Sequence, residues 1–159
     1  FIARCLVGEV SQIDSIIDRM NIFLDTNLII DFLTKREPYS EDIKDIFQYS
    51  VEGKYELFIS SVTVTNTYYI ISKLVNASFA KKKLEQLMEL VNVLNVGEST
   101  IVKALDSKFK DLEDGVQSFS AEEGNLKIIL TRNVKDFKWS NLTVLTPKEF
   151  LSSETESSL

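Results

Sequence analysis

Apolar residues follow two periods along this chain. Short apolar runs bounded by turn signals predict strands, and residues repeating at three- and four-residue spacing predict helices. The run from Asn21 to Asp25 predicts a buried strand ending in an acid. From Thr26 to Leu33, apolar positions 28, 29, 32 and 33 predict a helix, broken at Glu37–Pro38. Ser40-Glu41-Asp42 opens a second helix with Ile43, Ile46 and Phe47 on one face, and Gly53 ends it. Tyr55–Ser60 predicts the second strand. Residues 61–75 are ambiguous, since their Val, Thr and Tyr content favours strand while their length and placement favour helix.

Ala77 to Leu90 predicts a helix with Leu84, Leu87, Met88 and Val91 as its buried stripe, followed by a strand at Val91–Val96. Helices are expected at Glu98–Ser107 and Asp114–Glu123, strands at Leu126–Leu130 and Leu142–Leu145. Pro147 suits the first turn of a short last helix. Strands alternating with helices imply a parallel α/β sheet covered on both faces. Residues 1–19 are read as an N-terminal extension with Val10, Ile13, Ile16 and Ile17 at helical spacing, and Met20 as a credible natural start. Residues 20–150 form the expected domain, and 151–159 a polar, flexible tail.

Composition narrows the chemistry. Histidine is absent and Cys5 is the single cysteine. A Ser-His-Asp triad, a Cys-His pair and zinc sites built on thiolate or imidazole are therefore excluded. One cysteine cannot form an internal disulfide, which fits a reducing, cytoplasmic compartment. With no apolar run of membrane-spanning length, no membrane role is expected. The remaining oxygen ligands favour Mg²⁺ or Mn²⁺. A net charge of −6 argues against a nonspecific nucleic-acid coat, yet leaves room for a local basic rim beside an acidic site.

Ligands of such sheets sit beyond the carboxyl ends of the strands. Asp25 ends the first strand; Thr131-Arg132-Asn133 and then Asp136 follow the fourth; Asp111 to Asp114 opens the helix before it. Carboxylates converging there repel one another unless a cation neutralises them. Each also has a bland reading. Asp25 would cap the helix that follows it; Asp111 and Asp114 have capping-box-like spacing; Asp136 would cap a turn; Asp31 would only order the first helix. Arg132 would either reach a phosphate or remain solvated. Lys81, Lys82 and Lys83 would either track an RNA backbone or form the solvated face of a helix.

Four segments, in order, resemble the motifs of PIN domains: Phe23 to Asp31, Ile59 to Asn66, Asp111 to Gln117, and Ile128 to Phe137. The similarity runs from about Met20 to Phe150, and its closest flavour is the VapC-type toxin branch. The resemblance implies a Rossmann-like, three-layer PIN fold with a central, mostly parallel sheet of about five strands. It implies Mg²⁺- or Mn²⁺-dependent cleavage of single-stranded RNA, a cognate antitoxin partner and a homodimer. It carries over Asp25, Asp114 and Asp136 as metal-site and catalytic acids, with Thr131 and Asn133 in support. PIN domains often have Glu where this chain has Asn66, and an amide brings no negative charge. Asp111, three residues from Asp114, is expected to compensate rather than Glu113. The alternative is a catalytically impaired relative that binds RNA or protein. A receiver-type or phosphatase-like domain ranks lower, because Asp25-Thr26-Asn27 lacks the second aspartate of the Asp-x-Asp pattern. No glycine-rich phosphate loop supports a P-loop enzyme.

Overall fold

The structure is a computed structural model that describes residues 20–157, so the expected helical stretch in residues 1–19 lies outside the described residues. Five strands form one sheet in which every pairing is parallel: β1 (Met20–Leu24), β2 (Tyr55–Ser60), β3 (Asn92–Leu94), β4 (Ile128–Leu130) and β5 (Thr143–Leu145), in the order β3-β2-β1-β4-β5. The helices are α1 (Thr26–Thr34), α2 (Ser40–Val51), α3 (Ser61–Leu74), α4 (Ala77–Met88), α5 (Glu98–Leu105), α6 (Leu112–Glu123) and α7 (Pro147–Ser157), with a 3₁₀ turn at Val134–Phe137.

The central strand β1 shows why its sequence is apolar throughout. Ile22 and Leu24 pack into one core with residues of α1 to α4 and α7, including Leu28, Ile46, Ile71, Leu87 and Phe150. Phe23, between them, points to the opposite face and packs with Ala121, Leu126, Ile129 and Phe137. A strand covered on both faces needs no polar alternation. The result is three layers, as expected for a PIN-like α/β sandwich. Among the described residues no helix is long and apolar enough to cross a membrane.

Two expectations are resolved or revised. The ambiguous stretch is the helix α3: Ser60 accepts a hydrogen bond from the Thr63 backbone N–H at 3.1 Å and so caps its first turn. Tertiary packing of Val64 and Ile71 into the larger core then outweighs β-propensity. The expected frayed tail instead continues α7 through Ser157. Phe150 anchors this helix in the core, and Ser152 and Thr155 return their hydroxyls to the carbonyls of Lys148 and Leu151.

The chain moves from β1 outward to β2 and β3, then crosses to the other side of β1 for β4 and β5. The β1–β4 junction is therefore the point where strand order reverses, which opens a crevice at the carboxyl ends of these strands. Pairing continues one residue past the strands, where the Asp25 N–H donates to the Leu130 carbonyl at 3.0 Å. Asp25 and Thr131 are thus fixed side by side at the crevice.

Candidate functional site

Asp25 follows the last apolar residue of β1 and is almost fully buried. It occupies the cap position of α1 but makes no side-chain cap hydrogen bond, so the bland capping reading does not describe it. Its two oxygens are turned to other elements. Oδ1 accepts from Gln117 Nε2 of α6 at 3.0 Å, and Oδ2 accepts from the Thr131 hydroxyl at 2.7 Å. Burial raises the pKa of this carboxyl above the ordinary value, opposed by those two hydrogen bonds and reinforced by the charge of Glu113. Thr131 in turn accepts from the Asn133 backbone N–H at 3.0 Å, tying the loop after β4 to the same group.

Gln117 bridges the site. Its Oε1 accepts from the Thr26 backbone N–H at 3.1 Å while its amide nitrogen holds Asp25. One turn earlier on α6, Glu113 Oε1 accepts the Thr26 hydroxyl at 2.6 Å. Thr63 Oγ1 lies 3.2 Å from Thr26 Oγ1 and 3.1 Å from Ser60 Oγ, so the start of α3 joins the network. Gly115 permits this placement of α6: a Cβ there would meet Ala104 Cβ at 3.2 Å and Phe109 Cβ at 3.3 Å.

Asp114 lies one turn before Gln117, half-buried at the crevice. Its pKa is pushed up to about 7, first by burial and then by the charges of Asp25, Asp111, Asp136 and Glu113. Asp111, Asp114 and Asp136 line a cleft of about 580 Å³. Its remaining walls are Lys110, Lys135, Lys138 and Trp139, none of which the sequence reading singled out. Among the described residues no group of three or more acidic side chains is gathered closely enough to cage a cation by itself. Mg²⁺, however, is usually held by one or two carboxylates and keeps several waters. An all-oxygen donor set in which burial, and then the neighbouring acids, oppose ionisation of Asp114 fits such an ion, because a cation offsets both.

The other candidates are placed differently. Asp111 is the cap of α6 and accepts from the Glu113 N–H at 2.8 Å, so one of its oxygens is already engaged. Glu113, not Asp111, reaches the Asp25–Thr26 junction. Asp111 instead lines the cleft beside Asp114, whose pKa its charge helps to raise. Asp136 sits exposed on the 3₁₀ turn at the cleft. Asn66 is half-buried on α3, one turn past Thr63. Lys81, Lys82 and Lys83 lie on α4, outside the lining of this cleft, with the Lys83 amine 5.5 Å from the Phe79 ring of the same helix. Arg132 Nε lies 2.9 Å from Oδ2 of the fully buried Asp31, an ionic contact without the alignment of a hydrogen bond. Its guanidinium also stands 4.5 Å from the Tyr39 ring centre. Burial raises the Asp31 pKa, with Arg132 and Arg36 opposing the shift.

The PIN domain family model matches residues 21–135, a span holding the Asp25 strand end, the Gln117 bridge and the Asp114 cleft. The chain belongs to the PIN-domain family. Within that family it falls in the VapC-like branch: it is 33% identical over 137 residues to Ribonuclease VapC1 of Aquifex aeolicus, covering 81% of this chain and 92% of that protein. Among solved structures, VapBC-1 from nontypeable Haemophilus influenzae superposes with a TM-score of 0.62 at 24% identity, covering 81% of this chain and 99% of that one. A toxin–antitoxin complex from Klebsiella pneumoniae gives a TM-score of 0.59 at 21% identity, covering 79% and 97%. At these identities the two structures support the PIN fold itself. The residues this PIN domain adds to the three acids are Gln117, Thr26 and Glu113. Gln117 closes the third motif-like segment, where its type alone carried no sign of a bridge between Asp25 and α1.

Proposed function

We propose that this PIN domain is a Mg²⁺- or Mn²⁺-dependent endoribonuclease acting on single-stranded RNA, and the toxin of a toxin–antitoxin pair. The observation that carries the proposal is the juxtaposition of Asp25 and Asp114. These acids come from different elements: Gln117, one turn after Asp114 on α6, donates to Asp25 Oδ1 at 3.0 Å, and the charge of Asp25 adds to the burial that raises the Asp114 pKa. Asp25 and Asp114 would hold the ion, and Asp136 would hold it or orient the attacking water. A bound divalent ion supplies charge neutralisation and Lewis acidity at the phosphodiester.

The chain's own groups do the rest. Gln117 and Thr131 keep the Asp25 carboxylate in one orientation. Asn133 and Thr131 steady the loop that presents Asp136. In the hydrolysis the water oxygen bonds to phosphorus, the bond from phosphorus to the leaving sugar oxygen breaks, and a proton ends on that oxygen. Kinship with a protein named a ribonuclease supports RNA as substrate. Fold similarity to a toxin–antitoxin complex supports a cognate antitoxin.

Asn66 favours one second reading, a PIN domain that binds RNA or protein without cleaving, since the amide adds no charge to the site. Cleavage of a single-stranded RNA under Mg²⁺ titration separates the two. Cleavage that needs the metal and is lost in Asp25→Asn and Asp114→Asn supports the nuclease. Equal residual cleavage in all three proteins would exclude it.

A further inference from the structure

Trp139 is the sole tryptophan of the chain, and 45% of it is exposed. It shares its cleft with Asp114 and Asp136. Its mounting is firm. Phe137, two residues earlier, is buried in the smaller core and meets the Phe109 ring edge-on at 6.3 Å. Ser140, the next residue, donates its backbone N–H to the Phe137 carbonyl at 2.9 Å, and its hydroxyl accepts from Ser118 at 2.7 Å. An indole held between two pinned neighbours meets a ligand at little entropic cost. Cations surround it: the Lys108 and Lys138 amines lie 4.9 and 5.0 Å from the ring centre, and Lys110 and Lys135 line the same cleft. This basic rim stands against a net charge of −6 for the whole chain.

We propose that Trp139 is a nucleobase-stacking platform beside the acidic centre, and that Lys110, Lys135 and Lys138 bind the phosphates flanking the stacked base. The ligand's identity as RNA rests on the nuclease reading above; the platform itself rests on the indole and its cationic surround. The amines over the ring sit on flexible side chains that can swing from the indole to a flanking phosphate as a base stacks; such stacking requires a base free of its helix, so the cleft selects unpaired strands over duplex. Trp139 is then a specificity-determining residue, acting mainly on binding.

The lone tryptophan makes intrinsic emission a direct probe. The Asp114→Asn protein in Mg²⁺, with cleavage silenced, is titrated with a short single-stranded RNA and with its duplex. Binding is followed in parallel by anisotropy of labelled RNA. Expected are saturable quenching by the single strand and little by the duplex. Trp139→Ala should bind on the order of tenfold more weakly, and Trp139→Phe should stay within about threefold of the parent. Lys135→Ala should reduce the salt slope of binding by about 0.7. Cleavage by otherwise wild-type protein should show the Trp139→Ala effect in KM rather than kcat. RNA binding without any emission change, equal quenching by duplex, or unchanged affinity in Trp139→Ala overturns the platform. If metal-dependent cleavage persists alongside such a result, only the platform falls. Absence of both RNA binding and cleavage removes the platform and the nuclease reading together.

Discussion

Gln117 Nε2 donates to Asp25 Oδ1 at 3.0 Å across 92 positions of sequence, and the same amide's oxygen accepts the Thr26 backbone N–H. One side chain on α6 therefore orients the acid at the end of β1 and satisfies the first turn of α1. Replacing it with leucine leaves a buried acceptor and a buried N–H without partners. Gln117→Leu should lose about 2–3 kcal/mol in chemical denaturation. Since Asp25 then loses a donor that favours its charged form, Mg²⁺ affinity measured by calorimetry should fall on the order of 10- to 100-fold.

The raised pKa of Asp114 makes a signed prediction for the metal-free protein. A carboxyl whose folded pKa is about 7 holds its proton more tightly in the folded than in the unfolded state. Its contribution favours folding at low pH and is lost as pH rises from about 4 to about 7. Comparing wild type with Asp114→Asn across that window isolates it. The wild type should lose on the order of 1–2 kcal/mol relative to the variant, the figure reduced for solvent screening of a half-buried group. Saturating Mg²⁺ should remove most of the difference. A difference that is flat with pH would contradict the burial of Asp114 among neighbouring acids.

Arg132 supports the fold through Asp31, an acid buried completely beneath it. Arg132→Met keeps bulk near Tyr39 but removes the nearer cation. The expected loss is about 2 kcal/mol, smaller than for a fully buried pair because the arginine is partly exposed and Arg36 remains nearby. The loss should be greater at pH 8 than at pH 5, where Asp31 without its cation can protonate. Thermal melts at the two pH values measure this directly.

Asn66 provides a gain-of-function test. If its side chain faces the ion, Asn66→Glu adds a charge, and Mg²⁺ should bind on the order of tenfold more tightly. Metal-free stability should fall, because another acid joins a repelling group. Unchanged affinity would place residue 66 outside the metal's reach.

Much of this architecture was legible from residue patterns. The apolar runs at Ile22–Leu24 and Ile128–Leu130 mark strands buried on both faces, and acids following such strands are placed by topology alone. The limits had physical causes. Residues 61–75 carry β-branched residues in a helix because packing of Val64 and Ile71 decides the outcome. Asp111 and Asp114, three residues apart, do line one cleft, whereas nothing local marks Glu113 as the residue that reaches Thr26. Gln117, Thr26 and Glu113 form a network only after α6 docks against the β1–α1 junction, and contacts so distant in sequence leave no local pattern. The dense run Lys81 to Lys83, open to either an RNA-tracking or a solvated-face reading, lies on α4 outside the lining of the cleft. The lysines of the cleft instead come singly from the segment before α6 and the turn after β4.

The central claim is that Asp25 and Asp114 share one divalent ion. Crystals grown with Mn²⁺ and measured for anomalous scattering test it most directly. The expected result is a peak within about 2.1 Å of an oxygen of at least one of the two carboxyls and within water-bridged reach of the other, absent in Asp25→Asn. Mn²⁺ at saturating concentration with no density at this pair, or an unchanged peak in Asp25→Asn, would contradict the account.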